Sequence, residues 1–438
     1  MRLIYALVLT VLAVVPARAE VNIQEITSPG GLKAWLVEEP SIPFVALDLR
    51  FRGGASLEGA DKRGAINLMT ALLEEGAGDL DAREFARASE GLATSLRFSV
   101  DDDALAVSAR FLTENQDASV ALLKEALQNP RFDAEAIDRV RGQVLSSIRS
   151  SEKDPNDIAR KTMDSLLYGD HPYGSSLSGT VETVTALTRD DLVTAHADVL
   201  ARDRVFISAV GDITPQQLGL LLDDLLGGLP EKGAPMPAVA EVTIPAGVTV
   251  VDFPTPQSVA ILAQKGIKQK DDDWFAATVM NQVLGGGSFE SRLMDEVREK
   301  RGLTYGVYSY LVPMDLAETY QGSVSSANDR IGEAISVIRD EWVKMAESGV
   351  TQQELDDAKT YITGSYPLRF DGNQRIASIL VGMQMLDLPI DYIPTRNDKV
   401  KAVTLEDVKR VAGELLDPDG LAFVVVGQPE GLETIAGN

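Results

Sequence analysis

Thr188-Arg-Asp-Asp-Leu192 leads into Val205-Phe-Ile-Ser-Ala-Val-Gly211, and Thr404-Leu-Glu-Asp-Val408 leads into Leu421-Ala-Phe-Val-Val-Val-Gly427. In both copies the threonine stands 23 positions before the closing glycine. A threonine with Asp or Glu behind it is a helix N-cap signature, and an apolar β-branched run stopped by glycine reads as a buried strand. The match extends backwards. Val120, Leu123 and Leu127 form an apolar stripe ended by Asn129-Pro130; Ile331, Ala334, Ile335, Ile338, Trp342 and Met345 form another, ended by Ser348-Gly349. A new helix start follows each stripe, at Asp133 and at Thr351. The chain is therefore written twice, and the stripes are core faces.

Residues 230–247, PEKGAPMPAVAEVTIPAG, carry four prolines and two glycines and read as a linker. The expected organisation is a leader over 1–19, a first domain over 20–229, the linker, and a second domain over 248–438. Short strands open each half, at Trp35–Val37 and Val45–Leu49, then at Val248–Asp252 and Val259–Leu262. Strands preceding long amphipathic helices predict an α+β fold, each sheet with helices packed on one face.

Of 438 residues, 45% are hydrophobic and 24% charged, the composition of an ordinary globular chain. Lys+Arg number 41 against 66 Asp+Glu, a formal charge of −25, which argues against nucleic-acid binding and anionic membrane surfaces. There is no cysteine, so disulfides, thiolate metal sites and cysteine nucleophiles are excluded. Residues 1–19 place Arg2 before the apolar run Leu3–Val15, then Pro16 and the small-residue triplet Ala17-Arg18-Ala19. This predicts a secretory signal peptide cut before Glu20, too short for a comfortable membrane span. No later stretch is long and apolar enough to span a bilayer. The mature chain is expected to be soluble and exported, with a bacterial periplasm as its location.

Three groups of motifs remain. The first half holds Phe51-Arg-Gly-Gly-Ala55, then the segment from Gly64 to Gly76. Ser150–Pro155, His171-Pro-Tyr-Gly174 and Gly179-Thr180 follow. The second half holds Leu284-Gly-Gly-Gly-Ser288, Ser291-Arg-Leu293 and Val297-Arg-Glu-Lys-Arg-Gly-Leu-Thr-Tyr305. Together these resemble the pitrilysin/insulysin family of inverted-motif zinc metallopeptidases, which includes the mitochondrial processing peptidase. The resemblance covers nearly all of the mature chain. It implies paired homologous domains, each a mostly antiparallel sheet with helices on one face.

The family's chemistry needs H-x-x-E-H on a helix: two histidines at i and i+4 bind zinc, and the glutamate activates a metal-bound water. The resemblance places the first histidine on Asn67, the base on Thr70, the second histidine on Ala71 and the distal glutamate ligand on or near Ser147. Alanine offers no ligand atom, neutral amide and hydroxyl oxygens are poor zinc ligands, and threonine is no general base near pH 7. His171 and His196 are the only histidines, 25 residues apart, so no realignment creates the motif. Both read as structural, and Glu74 and Glu75 read as solvated charges near a helix end. The resemblance thus implies a chain without its own metal or catalytic residues, zinc being expected in a partner.

In active relatives an arginine and a tyrosine seven residues apart in the second half bind the substrate carbonyl and stabilise the oxyanion. The resemblance assigns those roles to Arg298 and Tyr305, suitable donors for developing negative charge. Ser291-Arg292 and Lys300-Arg301 read as solvated helix faces. Gly285–Gly287 lacks the P-loop ending and reads as a permissive turn. Donors without zinc ligands imply the non-catalytic, substrate-binding subunit of a heterodimeric exported zinc metallopeptidase. It would act on oligopeptides or unfolded segments with a homologous H-x-x-E-H subunit. Two other readings stand beside it: a purely structural or scaffold protein of the same fold, and an active homodimer ligating metal through Asp101, Asp102 and Asp103. The acidic triplet reads more simply as a solvated strand end.

Overall fold

The computed structural model describes residues 22–287 and 290–436; the expected leader lies outside them. The first half runs β1 (Gln24–Thr27), β2 (Lys33–Glu38), β3 (Phe44–Arg52), α1 (Ala65–Leu72), a hairpin of β4 (Gly76–Ala77) and β5 (Leu80–Asp81), α2 (Ala82–Gly91), β6 (Ser95–Val100) and β7 (Ala104–Leu112). It continues with α3 (Gln116–Gln128), α4 (Ala134–Ser151), α5 (Pro155–Tyr168), α6 (Val181–Ala186), α7 (Arg189–Val199), β8 (Val205–Gly211) and α8 (Pro215–Leu226). The second half runs β9 (Gly247–Asp252), β10 (Gln257–Lys265), α9 (Trp274–Leu284), a π-helical turn (Met294–Glu299), β11 (Val307–Pro313) and β12 (Glu318–Ala327). It ends with α10 (Ile331–Ser348), α11 (Gln352–Ser365), α12 (Asn373–Met385), α13 (Tyr392–Ala402), α14 (Leu405–Leu415), β13 (Ala422–Gly427) and β14 (Ile435–Ala436).

The duplication is visible in the strand order. The first sheet is β1-β2-β8-β3-β7-β6 and the second is β11-β12-β10-β13-β9-β14. Read from opposite ends, β2-β8-β3-β7-β6 and β9-β13-β10-β12-β11 are the same arrangement. Each has one parallel pair, β2 with β8 and β9 with β13, in an otherwise antiparallel sheet. The two repeats that open the sequence are those central strands with the helices before them. Thr188 and Thr404 cap α7 and α14 through reciprocal capping boxes with Asp191 and Asp407. Gly211 and Gly427 end their strands at φ 143° and 153°. A Cβ on Gly211 would meet the Phe44 carbonyl at 2.2 Å, and one on Gly427 the Ser258 hydroxyl at 2.3 Å, so both copies require glycine.

Each sheet carries its own helices on one face, as expected. Leu47, Leu49, Leu68, Leu72, Leu123 and Leu222 fill the first of these cores, and Leu262, Met280, Ile338, Trp342, Val411 and Phe423 the second. The opposite faces are covered as well, by an exchange of helices between the halves. Ala159, Met163 and Leu167 of α5, in the first half, pack on Val259, Ile261, Val424 and Val426 of the second sheet. Ala377, Leu380 and Met383 of α12, in the second half, pack on Trp35, Ala46 and Val210 of the first. Strands buried on both faces read as continuous apolar runs, which is how β8 and β13 are written.

The stretch before β9 is strapped to both halves. Ala234 O accepts from Arg204 (2.6 Å), Ala238 O lies 3.0 Å from His171 Nε2, and Ala240 N–H donates to Leu316 O (2.9 Å). Its proline content keeps it out of the sheets without freeing it from them.

Candidate functional site

Helix α1 is anchored at its start. Gly64 caps it at φ 98°. The Glu58 carboxylate accepts from the Gly64 N–H (2.9 Å) and from the Ile66 N–H, satisfying two of the donors a helix N-terminus leaves orphaned. Burial pushes the Glu58 carboxyl up to about 7 against these bonds. Arg63 is buried beside it, 3.5 Å from Glu58, and donates to Asp102 (2.6 Å), Pro172 O (2.8 Å), Ser175 O (3.0 Å) and Ala55 O.

On that helix Asn67 is half-buried and Ala71 exposed, one turn apart on one face, while Thr70 is turned inward and donates its hydroxyl to Ile66 O at 2.7 Å. Ser147 is exposed on α4, the helix packed beside α1. The four positions thus lie on two adjoining helices. Their donor set is an amide, two hydroxyls and a methyl, which does not fit zinc. No group of three or more His, Asp or Glu suited to a metal occurs among the described residues.

Three expectations change. Glu75 is not a loose surface charge: Arg139 of α4 grips it through a fork of 2.9 and 2.5 Å, tying the end of α1 to α4, while Glu74 is exposed. Asp101 is exposed as read, but Asp102 and Asp103 are half-buried at the seam between the halves. Asp102 pairs with Arg63, and Asp103 accepts from the Tyr173 hydroxyl and the Asp315 N–H (3.1 Å), so its oxygens are committed to the fold. Burial pushes Asp103 up to about 6. Arg292 is half-buried and forks onto Glu354 (2.7 and 2.8 Å). Burial alone pushes the Glu354 carboxyl up, but this fork and the Thr351 cap hold it near 2. The histidines behave as read: His171 accepts from the Tyr173 N–H at 3.2 Å, and half-buried His196 lies 2.8 Å from Leu127 O and is shifted down by desolvation.

In the second half Arg298 stands on the π-helical turn, a distortion that often marks functional sites, with its Nε 3.5 Å from Glu299. The chain then folds back through a turn fastened on both sides of Tyr305. Thr304 donates its hydroxyl to Ser325 O (2.7 Å) and accepts from the Gly306 N–H (3.1 Å); buried Leu303 receives the Ser326 hydroxyl at its carbonyl (2.5 Å). Arg330 holds the carbonyls of Arg301 (3.0 Å) and Gly302 (3.1 Å). Yet Tyr305 is 88% exposed. The turn's backbone is fixed while the ring stands in solvent, outside any packed core.

The glycine run proves to be a close backbone approach. Gly285 O accepts from Ser309 N–H on the edge of β11 (2.9 Å), and a Cβ at Gly285 would lie 2.4 Å from the Ser309 hydroxyl. The loop therefore shields the second sheet's edge. The first sheet's edge, β6, has no backbone partner on its outer side among the described residues.

Comparison with known proteins agrees with this arrangement. Residues 33–181 match the family model described as insulinase, peptidase family M16, and residues 186–362 match peptidase M16 inactive domain. A Helicobacter pylori protein named a non-peptidase homolog is 29% identical over 393 residues, covering 89% of this chain and 90% of that one. A Streptomyces coelicolor protein named an uncharacterized zinc protease is 26% identical over 412 residues, covering 90% and 87%. The crystal structure of a peptidase M16 inactive domain from Pseudomonas fluorescens superposes with a TM-score of 0.86 at 30% identity, covering 95% of this chain and all of that one. A Helicobacter pylori protease structure shares the fold, at TM-score 0.83 and 18% identity over 93% of this chain. The chain belongs to peptidase family M16, as a member whose first half lacks the H-x-x-E-H residues.

Proposed function

We propose that this chain is the non-catalytic, substrate-binding subunit of a heterodimeric exported zinc metallopeptidase. Its partner is a homologous H-x-x-E-H subunit that holds the zinc, and the substrates are oligopeptides or unfolded segments. The observation that carries this reading is Tyr305, 88% exposed on a fastened turn that follows Arg298, in a chain whose α1 has no metal ligand. In the pair, Arg298 and Tyr305 donate to the substrate carbonyl and to the oxyanion that develops from it. The open edge of β6, beside α1, supports the substrate-binding half of the proposal. An extended peptide can add to such an edge through main-chain hydrogen bonds. A scaffold of the same fold has no use for a fixed, solvent-facing tyrosine, which is why the enzyme-subunit reading is preferred.

The proposed location is the periplasm, on the strength of the leader-like residues 1–19; no helix among the described residues is long and apolar enough to cross a membrane. The test is reconstitution. The purified chain alone is expected to bind no stoichiometric zinc by atomic absorption and to cleave no peptide. Adding an H-x-x-E-H partner is expected to produce chelator-sensitive cleavage beyond that of the partner alone. Stoichiometric zinc on the isolated chain, or partner activity that ignores this chain, sinks the proposal.

A further inference from the structure

A cavity of about 390 Å³ opens at the seam between the halves, away from α1 and the π-helical turn. Three methionines supply much of its apolar wall: Met236 before β9, Met314 in the β11–β12 turn and Met385 at the end of α12. Thioether side chains are flexible and polarizable, and they adapt to apolar ligands of varied shape. Met236 is 40% exposed, an apolar cost that an occupant would relieve.

The charges at the mouth decide what the occupant is. Two of its ion pairs are closed within the protein, Arg52 with Asp315 at 2.9 Å and Lys270 with Asp387 at 2.6 Å. Two charges are left over, one of each sign: among the described residues the side chains of Lys268 and Glu318 have no hydrogen-bond or ion-pair partner. They stand on neighbouring segments of the wall, because Gly266, two residues before Lys268, donates its N–H to Glu318 O at 3.1 Å. The mouth thus offers one cation and one anion above an apolar floor. An acyl carboxylate would answer only Lys268, and an amine only Glu318.

We propose that this cavity binds a short zwitterionic peptide, a dipeptide with apolar side chains. Its carboxylate meets Lys268, its ammonium meets Glu318, and its side chains lie among Met236, Met314 and Met385. The volume falls in the range of small-ligand pockets, roughly 300–1,000 Å³.

The test is calorimetric titration of the full chain with Leu-Leu. N-acetyl-Leu-Leu-amide, which lacks both charges, is the control. Saturable one-site binding of Leu-Leu is expected, with Lys268→Ala and Glu318→Gln each costing about tenfold in Kd, the usual scale for losing a charge-assisted contact, and the blocked form, which loses both contacts, about 100-fold weaker. Met314→Trp, which fills the cavity, is expected to abolish binding. Absence of saturable Leu-Leu binding overturns the proposal, as does a difference under threefold for the blocked dipeptide or for both charge variants. Lys268 is exposed, so its alanine variant tests the site without threatening the fold. The assay contains no partner and reads binding alone, so its outcome is independent of the split-peptidase proposal.

Discussion

Replacing Arg63 with methionine should be among the most damaging single changes in the first half. The side chain is 3% exposed, as is that of Glu58 3.5 Å away, and the Asp102 carboxylate at 2.6 Å is 21% exposed. Methionine keeps most of the volume and removes the charge, leaving two carboxylates without their cation and the carbonyls of Ala55, Pro172 and Ser175 without their donor. Removing one partner of a buried ion pair costs about 3–5 kcal/mol. The halves exchange helices and unfold together, so for a unit of about 400 residues that is a fall in Tm of roughly 4–6 °C. The loss should depend on pH in a definite direction. With Arg63 beside it, burial pushes the Glu58 carboxyl up to about 7, so at pH 8 the native chain holds an ionised pair that methionine removes, whereas at pH 5.5 Glu58 already carries a proton and there is less to lose. The destabilisation at pH 5.5 should be roughly half that at pH 8. Thermal unfolding followed by circular dichroism at the two pH values reads both quantities. A fall below about 2 °C at pH 8, or equal falls at both pH values, would refute the assigned role of Arg63.

Three further outcomes are expected. In the reconstituted pair, Arg298→Ala should lower kcat/KM by about 10²–10³, the cost of losing one oxyanion donor, and an unchanged value removes the proposed donation. Burial raises Glu58 to about 7, Asp103 to about 6 and Asp164 to about 7. A carboxyl whose folded value lies above its unfolded one binds its proton more tightly when folded, so stability falls as pH rises through this window. The urea midpoint should therefore be higher at pH 5.5 than at pH 8. Glu296 and Glu354, held near 2 by their cationic partners, lose their contribution only in stronger acid and do not blur this comparison. Thr188→Ala and Thr404→Ala should each cost about 1 kcal/mol by chemical denaturation, since both remove the same capping box; a negligible cost at both would deny the equivalence of the repeats.

The fold was legible because its signals are local. The Thr188 and Thr404 boxes, the glycines at 211 and 427 and the stripe from Ile331 to Met345 specify helix starts, strand ends and core faces through the backbone and side chains of neighbouring residues. The absence of H-x-x-E-H was legible for a related reason: metal chemistry depends on residue type, and two histidines 25 positions apart make no pair on any helix. The exchange of α5 and α12 was not read, although the unbroken apolar runs of β8 and β13 imply two covered faces; nothing in a strand says which helix covers it.

The sequence by itself thus determined the two repeats, the α+β character and the absence of any H-x-x-E-H motif, all of which follow from residue types and their spacing along the chain. Tertiary structure alone decided the fate of the charged and aromatic groups. Asp103, written like a solvated strand end, became an acceptor for Tyr173 and Asp315 across the seam, while Tyr305, a large aromatic residue, was left facing water. A side chain's solvation depends on elements that arrive from hundreds of residues away, and no local pattern encodes that arrival.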